Sequence, residues 1–191
     1  MSYNIPNILT WFRILMIPFF ITVFYLPDET LNLHSKHLIA TLIFAAAAIT
    51  DWLDGYLARY LNQTSAFGAF LDPVADKLMV TAALIVLLKL GYIDPLIAFI
   101  IIGREIAISA LREWMAQLGD SKSIAVSMIG KVKTTFQMLA ILLLLYHDTI
   151  LGFSAAHFGT LLIYIAAILT LWSMIYYLML ARPLISKKTA K

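Results

Sequence analysis

The sequence contains no cysteine, and only 13% of its 191 residues are charged. The absence of cysteine excludes disulfide bonds, thiolate metal sites and cysteine nucleophiles. Eight glycines and six prolines are too few for a low-complexity linker. The charged fraction is about half of the ~25% that is typical of soluble domains, so an ordinary globular or disordered chain is also excluded.

The low fraction of charged residues is matched by a high fraction of apolar residues. They make up 62% of the chain, against ~45–50% in soluble domains, and the mean hydropathy is +0.88. A membrane-spanning helix needs about 20 apolar residues, so the length accommodates six spans and no separate soluble domain. We therefore predict an all-α protein, a single domain over 1–191, with six transmembrane helices in one bundle and a polar cavity open to the cytoplasmic face. The predicted spans are 7–26, 37–61, 72–92, 95–116, 124–146 and 153–181.

The basic residues are distributed unevenly among these spans. Most of the 14 lysines and arginines lie near the two termini or in the segments around 60, 120 and 185. The positive-inside rule places those segments and both termini in the cytoplasm. This topology also explains the basic pI of about 9.1, so we expect no nucleic-acid partner.

Four aspartates lie at the ends of two consecutive predicted spans. Asp51 and Asp54 are three residues apart at the end of the second span, and Asp72 and Asp76 are four apart at the start of the third. Each pair shares one helix face. The short connection 60–69 lets the two helices pack antiparallel, so the sequence predicts that four carboxylates converge at the membrane surface.

Such a cluster must be protonated or neutralised by cations. Oxygen ligands without histidine or cysteine suit Mg²⁺ or Mn²⁺, and two ions about 3.5–4 Å apart would balance four carboxylates and bind a diphosphate. Gly55, Ala58 and Gly68 let the backbone come close to a ligand. Arg59 can bind a phosphate oxygen through its planar guanidinium.

Two other interpretations of the aspartates stay open. Asp72 precedes Pro73, which suits the N-cap of a helix that begins there. Acidic residues in membrane helices can also form a proton relay in a transporter.

The same residues form a recognisable pattern. The string D-x2-D-G-x2-A-R-x8-G-x3-D-x3-D resembles the signature of the CDP-alcohol phosphatidyltransferases, and the chain is similar to that family over nearly its whole length. It is most similar to bacterial members that transfer the phosphatidyl group of CDP-diacylglycerol to sn-glycerol 3-phosphate and release CMP. The matching residues are Asp51, Asp54, Gly55, Ala58, Arg59, Gly68, Asp72 and Asp76.

The resemblance implies a role for each residue of the pattern. Asp51, Asp54 and Asp72 would be the main ligands of two Mg²⁺ or Mn²⁺ ions, and Asp76 would act as general base while also touching a metal. It further implies a homodimer in the inner membrane of a bacterium. The residues expected to bind CDP-diacylglycerol are Asp54, Gly55, Ala58, Arg59 and Gly68.

Arg104 is the most unusual basic residue, because it falls in the middle of a predicted span. A guanidinium there is costly unless it faces a partner or a wet cavity. We interpret it as binding the phosphate of glycerol 3-phosphate, with a structural ion pair as the alternative. Neighbouring helical residues do not face one another, so Arg104 and Glu105 are expected to have different partners. Residues that could complete the anion pocket, or simply follow the positive-inside rule, are Arg112, Lys131 and Lys133.

Asn4, Asn7, Thr10 and Arg13 recur every third residue and form a narrow polar stripe on an apolar helix. The stripe is either an interfacial anchor or a contact surface for the nucleotide lipid.

Several rival functions stay open. Serine, inositol phosphate or a phospholipid could replace glycerol 3-phosphate as acceptor. An aspartate-rich membrane prenyltransferase is a more remote alternative, and it lacks the D-G-x2-A-R element.

Overall fold

The computed structural model describes residues 5–60, 66–117, 128–150 and 152–189. Some side chains within these ranges lie outside the description, namely those of 5–7, 52, 54–60, 66, 67, 69, 128, 129, 131 and 180–189. The described residues form six α-helices and one short antiparallel hairpin, so the predicted all-α class is confirmed. The helices are α1 (Ile5–Val23), α2 (Leu33–Tyr60), α3 (Ala66–Lys89), α4 (Pro95–Gln117), α5 (Met128–Tyr146) and α6 (Ala155–Thr189). The hairpin pairs β1 (Thr149–Ile150) with β2 (Phe153–Ser154).

The turn between α3 and α4 follows directly from its residues. Gly91 has a φ of +74° and ends α3 in a Schellman motif, in which the amide of Tyr92 donates to the carbonyl of Leu87. Asp94 then accepts a hydrogen bond from the amide of Leu96 at 2.7 Å, and Pro95 occupies the first helical position. This turn lies between the predicted spans 72–92 and 95–116.

The beginning of α3 differs from the prediction. The helix starts at Ala66, so Asp72 lies inside it and the N-cap interpretation of Asp72 is wrong. Pro73 is an interior residue of this helix. A proline there lacks the N–H that would bond to the carbonyl four residues earlier, so one hydrogen bond of the helix is missing at this point.

One compact unit of the chain consists of Met1–Tyr92 and Leu142–Ala156. Within it, α1 packs against both α2 and α3. Small buried side chains allow backbones to approach closely, as is usual between membrane helices. The buried residues of this unit include Phe20, Ala40, Phe44, Ala47, Ala75, Met79 and Ala83.

The second compact unit consists of Ile93–Ile141 and His157–Lys191. Ile108 and Met115 of α4 pack with Tyr177 of α6, and Leu111 and Met174 border this cluster. The cluster joins the second half of α4 to the second half of α6. The prediction of a single domain over the whole chain stays a prediction.

Among the described residues, two helical segments are long and apolar enough to cross a membrane, Leu33–Asp51 and Ala155–Met179. Two shorter apolar segments, Ile8–Val23 and Val132–Tyr146, lie in α1 and α5. These lengths agree with a membrane protein, while the six predicted spans stay a prediction.

Three aromatic rings stack where α2 begins and where α3 and α5 end. The rings of Tyr92 and His147 are 3.8 Å apart and 12° from parallel, and His37 stacks on both. Nδ1 of His37 donates to the carbonyl oxygen of Leu145 at 2.7 Å. Nε2 of a neutral His37 can therefore accept from the hydroxyl of Tyr92, which lies 3.2 Å away.

This packing changes the titration of His147. Burial lowers the pKa of His147, the neighbouring His37 lowers it further, and Asp148 opposes the change. The unfolded chain then binds this proton more readily than the folded one. The resulting stability is present above a pH of about 6.5 and is lost as the pH falls below it.

We expect His147→Asn to weaken the dependence of stability on acid. Asparagine does not titrate and tolerates the positive φ of 59° at this position. Between pH 7.5 and 5.5 the melting temperature in detergent micelles should fall less for this variant than for the unaltered protein. His157→Asn, at an exposed position of α6, is the control; equal acid sensitivity in all three proteins would contradict the prediction.

Candidate functional site

The polar face of α1 contacts an aspartate on each neighbouring helix. Thr10 Oγ1 donates to Asp72 Oδ1 on α3 at 2.5 Å, and Arg13 Nη1 donates to Asp51 Oδ1 on α2 at 2.7 Å. Thr10 and Arg13 are three residues apart, so both side chains lie on one helix face. Thr10 and Arg13 of the predicted polar stripe thus contact two of the four aspartates, while Asn4 and the side chain of Asn7 lie outside the described residues.

Exposure differs sharply across the Arg13–Asp51 pair. The side chain of Arg13 is 1% exposed and that of Asp51 is 46% exposed. The guanidinium therefore lies beneath a carboxylate that remains open to other ligands. On α3, Asp72 and Asp76 are partly buried and one turn apart, and Gly68 is buried one turn before Asp72.

We use the name aspartate site for Asp51, Asp72 and Asp76, whose carboxylate groups are of the chemical type that binds hard divalent cations. The site offers carboxylate oxygens on two helices that are both in contact with α1. Within the described part of the chain, Asp51 and Asp72 each use only Oδ1 in these bonds. Their Oδ2 atoms are the kind of oxygen that Mg²⁺ and Mn²⁺ prefer.

Other predicted residues of this site lie outside the described residues. Among the side chains that the structure does describe, no three acidic or histidine groups are close enough to enclose a metal ion. The metal set of four aspartates therefore stays a prediction. The side chains in question, all on α2, are those of Asp54, Gly55, Ala58 and Arg59.

A second charged cluster, which we call the cation site, is built from Arg104 and Glu105 of α4 and Lys133 of α5. Oε1 of Glu105 accepts from Lys133 Nζ and, at 3.2 Å, from Arg104 Nη1. The expectation that Arg104 and Glu105 have different partners is therefore wrong. Helix position separates their Cβ atoms, but the Arg side chain is long enough to curve back to its neighbour.

Arg104 has further contacts on α6. Its Nη2 donates to Ser173 Oγ at 3.1 Å, and Ser173 donates in turn to the carbonyl of Thr170. Its Nε is buried without a hydrogen-bond partner among the described residues. The guanidinium carbons of Arg104 and Arg112 lie 5.8 and 5.6 Å from the ring centre of the buried Tyr177.

Of the four predicted anion-binding residues, Arg104 and Lys133 share a carboxylate, and Arg112 is exposed on α4. Lys131 lies in α5, and its side chain is outside the described residues. Sequence reasoning did not identify Glu105, Ser173 and Tyr177 as parts of this cluster. The four-residue spacing of Ser173 and Tyr177 on an apolar helix was a signal for them.

Comparisons with known proteins cover almost the whole chain. The sequence model of the family described as CDP-alcohol phosphatidyltransferase matches residues 3–172. A protein of Haemophilus influenzae is 54% identical over 185 residues, which is 95% of each chain. A protein of Escherichia coli strain K12 is 51% identical over 184 residues, 95% of this chain and 97% of its own. Both relatives are named CDP-diacylglycerol–glycerol-3-phosphate 3-phosphatidyltransferase.

We expect the two partners of the Arg13–Asp51 pair to differ in their effect on stability. Asp51→Asn takes the charge away from a buried guanidinium and should lower the free energy of unfolding by about 1–3 kcal/mol. Arg13→Met leaves a carboxylate that water can solvate, and it should cost at most about 1 kcal/mol. Melting temperatures in micelles with a chelator, which excludes any bound divalent ion, check this order; a larger loss for Arg13→Met would reverse it.

Proposed function

The chain belongs to the CDP-alcohol phosphatidyltransferase family, and from this we infer that it transfers the phosphatidyl group of CDP-diacylglycerol to sn-glycerol 3-phosphate and releases CMP. The observation that carries this inference is the identity of 51–54% over 95% of the chain to relatives named for this reaction. A likeness of this extent includes the positions of both charged sites.

The aspartate site is proposed to bind the donor. Asp51, Asp54, Asp72 and Asp76 hold divalent ions, Mg²⁺ or Mn²⁺, and the resemblance to the family suggests two. When bound, these ions neutralise the diphosphate and stabilise the charge on the departing CMP. The support is that Asp51 and Asp72 are both held by α1 while Asp51 remains half-exposed. The residues proposed to bind CDP-diacylglycerol are Asp54, Gly55, Ala58, Arg59 and Gly68.

The reaction itself needs one proton acceptor. The primary hydroxyl oxygen of glycerol 3-phosphate bonds to the lipid-proximal phosphorus, and the bond from that phosphorus to the CMP oxygen breaks. We assign the released proton to a carboxylate oxygen of Asp76. Asp76 lies one turn after Asp72, so both aspartates are on the same face of α3.

The cation site is proposed to bind the phosphate of the acceptor. Arg104 and Lys133 carry two positive charges against the single negative charge of Glu105, so the three residues have one positive charge in excess. Nε of Arg104, which has no hydrogen-bond partner among the described residues, offers a donor to a phosphate oxygen. Arg112 and Lys131 are proposed to add to the attraction for the anion.

The membrane location and topology are proposed from the charge pattern and the family. We place the enzyme in the inner membrane of a bacterium, with six spans and with both termini and the active site facing the cytoplasm. A homodimer is proposed from the family resemblance.

Release of CMP from CDP-diacylglycerol by the purified full-length protein in mixed micelles tests the function. Glycerol 3-phosphate should stimulate release about tenfold or more above serine, inositol phosphate or phosphatidylglycerol, because a site that pairs with a phosphate rejects acceptors lacking it in the right place. EDTA should abolish release, and Mg²⁺ or Mn²⁺ should restore it. Stimulation by another acceptor alone would reassign the substrate, and full activity in EDTA would refute the metal assignment.

Asp76→Asn should lower kcat by about 10²–10⁴ and leave the KM for CDP-diacylglycerol close to that of the unaltered enzyme. The amide keeps the shape of the side chain but cannot take the proton. Glu29→Gln, at an exposed position of the turn after α1, likewise removes one carboxylate charge and lies outside the proposed site. Near-normal turnover of the Asp76 variant would exclude it as the general base.

A further inference from the structure

Glu105 is the one acidic residue in contact with both cations of the cation site among the residues that the structure describes. A single oxygen, Oε1, accepts a hydrogen bond from Lys133 Nζ and another from Arg104 Nη1. Lys133 belongs to α5 and Arg104 to α4. The carboxylate therefore fixes the separation between two basic groups that come from different helices.

Burial makes this carboxylate necessary. The side chains of Lys133 and Arg104 are 1% and 8% exposed, whereas that of Glu105 is 26% exposed. Two cations taken out of water repel each other strongly, because the interior screens charge poorly. Without an anion between them, both side chains gain by turning apart toward water.

The contact with Glu105 also leaves part of Arg104 unused. Nη1 is directed to Glu105, Nη2 is directed to Ser173, and Nε is buried without a partner among the described residues. The Nη1 bond of 3.2 Å is longer than the ~2.7–2.9 Å of a strong charge-assisted bond. Glu105 and Ser173 thus fix the orientation of the guanidinium without using all of its donors.

We propose that Glu105 is a positioning residue for the acceptor phosphate, acting through Arg104 and Lys133 and not by touching the substrate. It holds the two cations side by side before the acceptor arrives, so the phosphate binds a preformed pair. This inference rests on the proposed function, because it takes glycerol 3-phosphate as the ligand of the cation site. A preformed pair reduces the free-energy cost of ordering two long side chains on binding.

The proposal has a kinetic signature. Loss of the Glu105 charge disorders the acceptor site and leaves the donor site unchanged. The KM for glycerol 3-phosphate should therefore rise, while the KM for CDP-diacylglycerol stays constant. A role confined to folding would instead lower the melting temperature without separating the two constants.

Steady-state CMP release by Glu105→Gln and Glu105→Asp in mixed micelles tests this. Glu105→Gln keeps the shape but removes the charge, and it should raise the KM for glycerol 3-phosphate about tenfold or more. Glu105→Asp keeps the charge at a shorter reach, so its KM should lie between those of the glutamine variant and the unaltered enzyme. Glu113→Gln makes the same change two turns later at an exposed position of α4 and should leave both constants unchanged.

The outcomes distinguish a failure of the proposed function from a failure of the positioning role of Glu105. If glycerol 3-phosphate fails to stimulate the unaltered enzyme, the proposed function is wrong. If it does stimulate, an unchanged or lower KM for glycerol 3-phosphate in Glu105→Gln overturns the positioning role alone, as does an equal rise in both KM values. If Glu105→Gln does not fold, Glu105→Asp decides, since a selective rise in the acceptor KM supports the role and unaltered constants refute it.

Discussion

A cation enclosed by apolar helices is stable only when an anion or a strong acceptor lies within hydrogen-bonding distance, and both charged sites of this protein depend on that constraint. Arg13 is paired with Asp51, and Lys133 is paired with Glu105. In each pair the cation is 1% exposed and the acid is the more exposed partner. In each pair the buried basic group depends on the more exposed acid to balance its charge.

The two sites use this arrangement for opposite purposes. At the aspartate site, Arg13 and Thr10 hold carboxylates that we propose to bind divalent ions, so the carboxylates are the functional groups. At the cation site we propose that the carboxylate of Glu105 organises Arg104 and Lys133, with the cations as the functional groups. In this proposal one type of ion pair serves a cation-binding site in one unit of the chain and an anion-binding site in the other.

Local sequence patterns predicted most of the helices and the shared helix face of Asp72 and Asp76. The Gly91 to Pro95 turn has its own signals, and Asp72 and Asp76 share a face because of their spacing alone. The start of α3 was misplaced because Asp72-Pro73 is a good N-cap sequence, and nothing local reveals that a helix has already begun at Ala66. Contacts across helices are decided by packing, so no pattern in the sequence linked Thr10 to Asp72.

The Arg104–Glu105 contact is a second case in which the local sequence pattern did not predict a side-chain contact, here between neighbouring residues. Adjacent helical positions diverge, and the rule for helix faces describes Cβ directions rather than the reach of a long side chain. The rule therefore predicts different partners for Arg104 and Glu105. The contact forms because one carboxylate oxygen of Glu105 accepts hydrogen bonds from both Lys133 of α5 and Arg104.

The Arg13–Asp51 pair also bears on how the chain is assembled during synthesis. The carboxylate that Arg13 contacts in the folded protein lies 38 residues further along the chain, so α1 is made before its partner exists. Lys133, by contrast, emerges 28 residues after Glu105. A nascent α1 is therefore expected to settle among its neighbours only once α2 has followed it, whereas Lys133 of α5 meets a partner that is already in place.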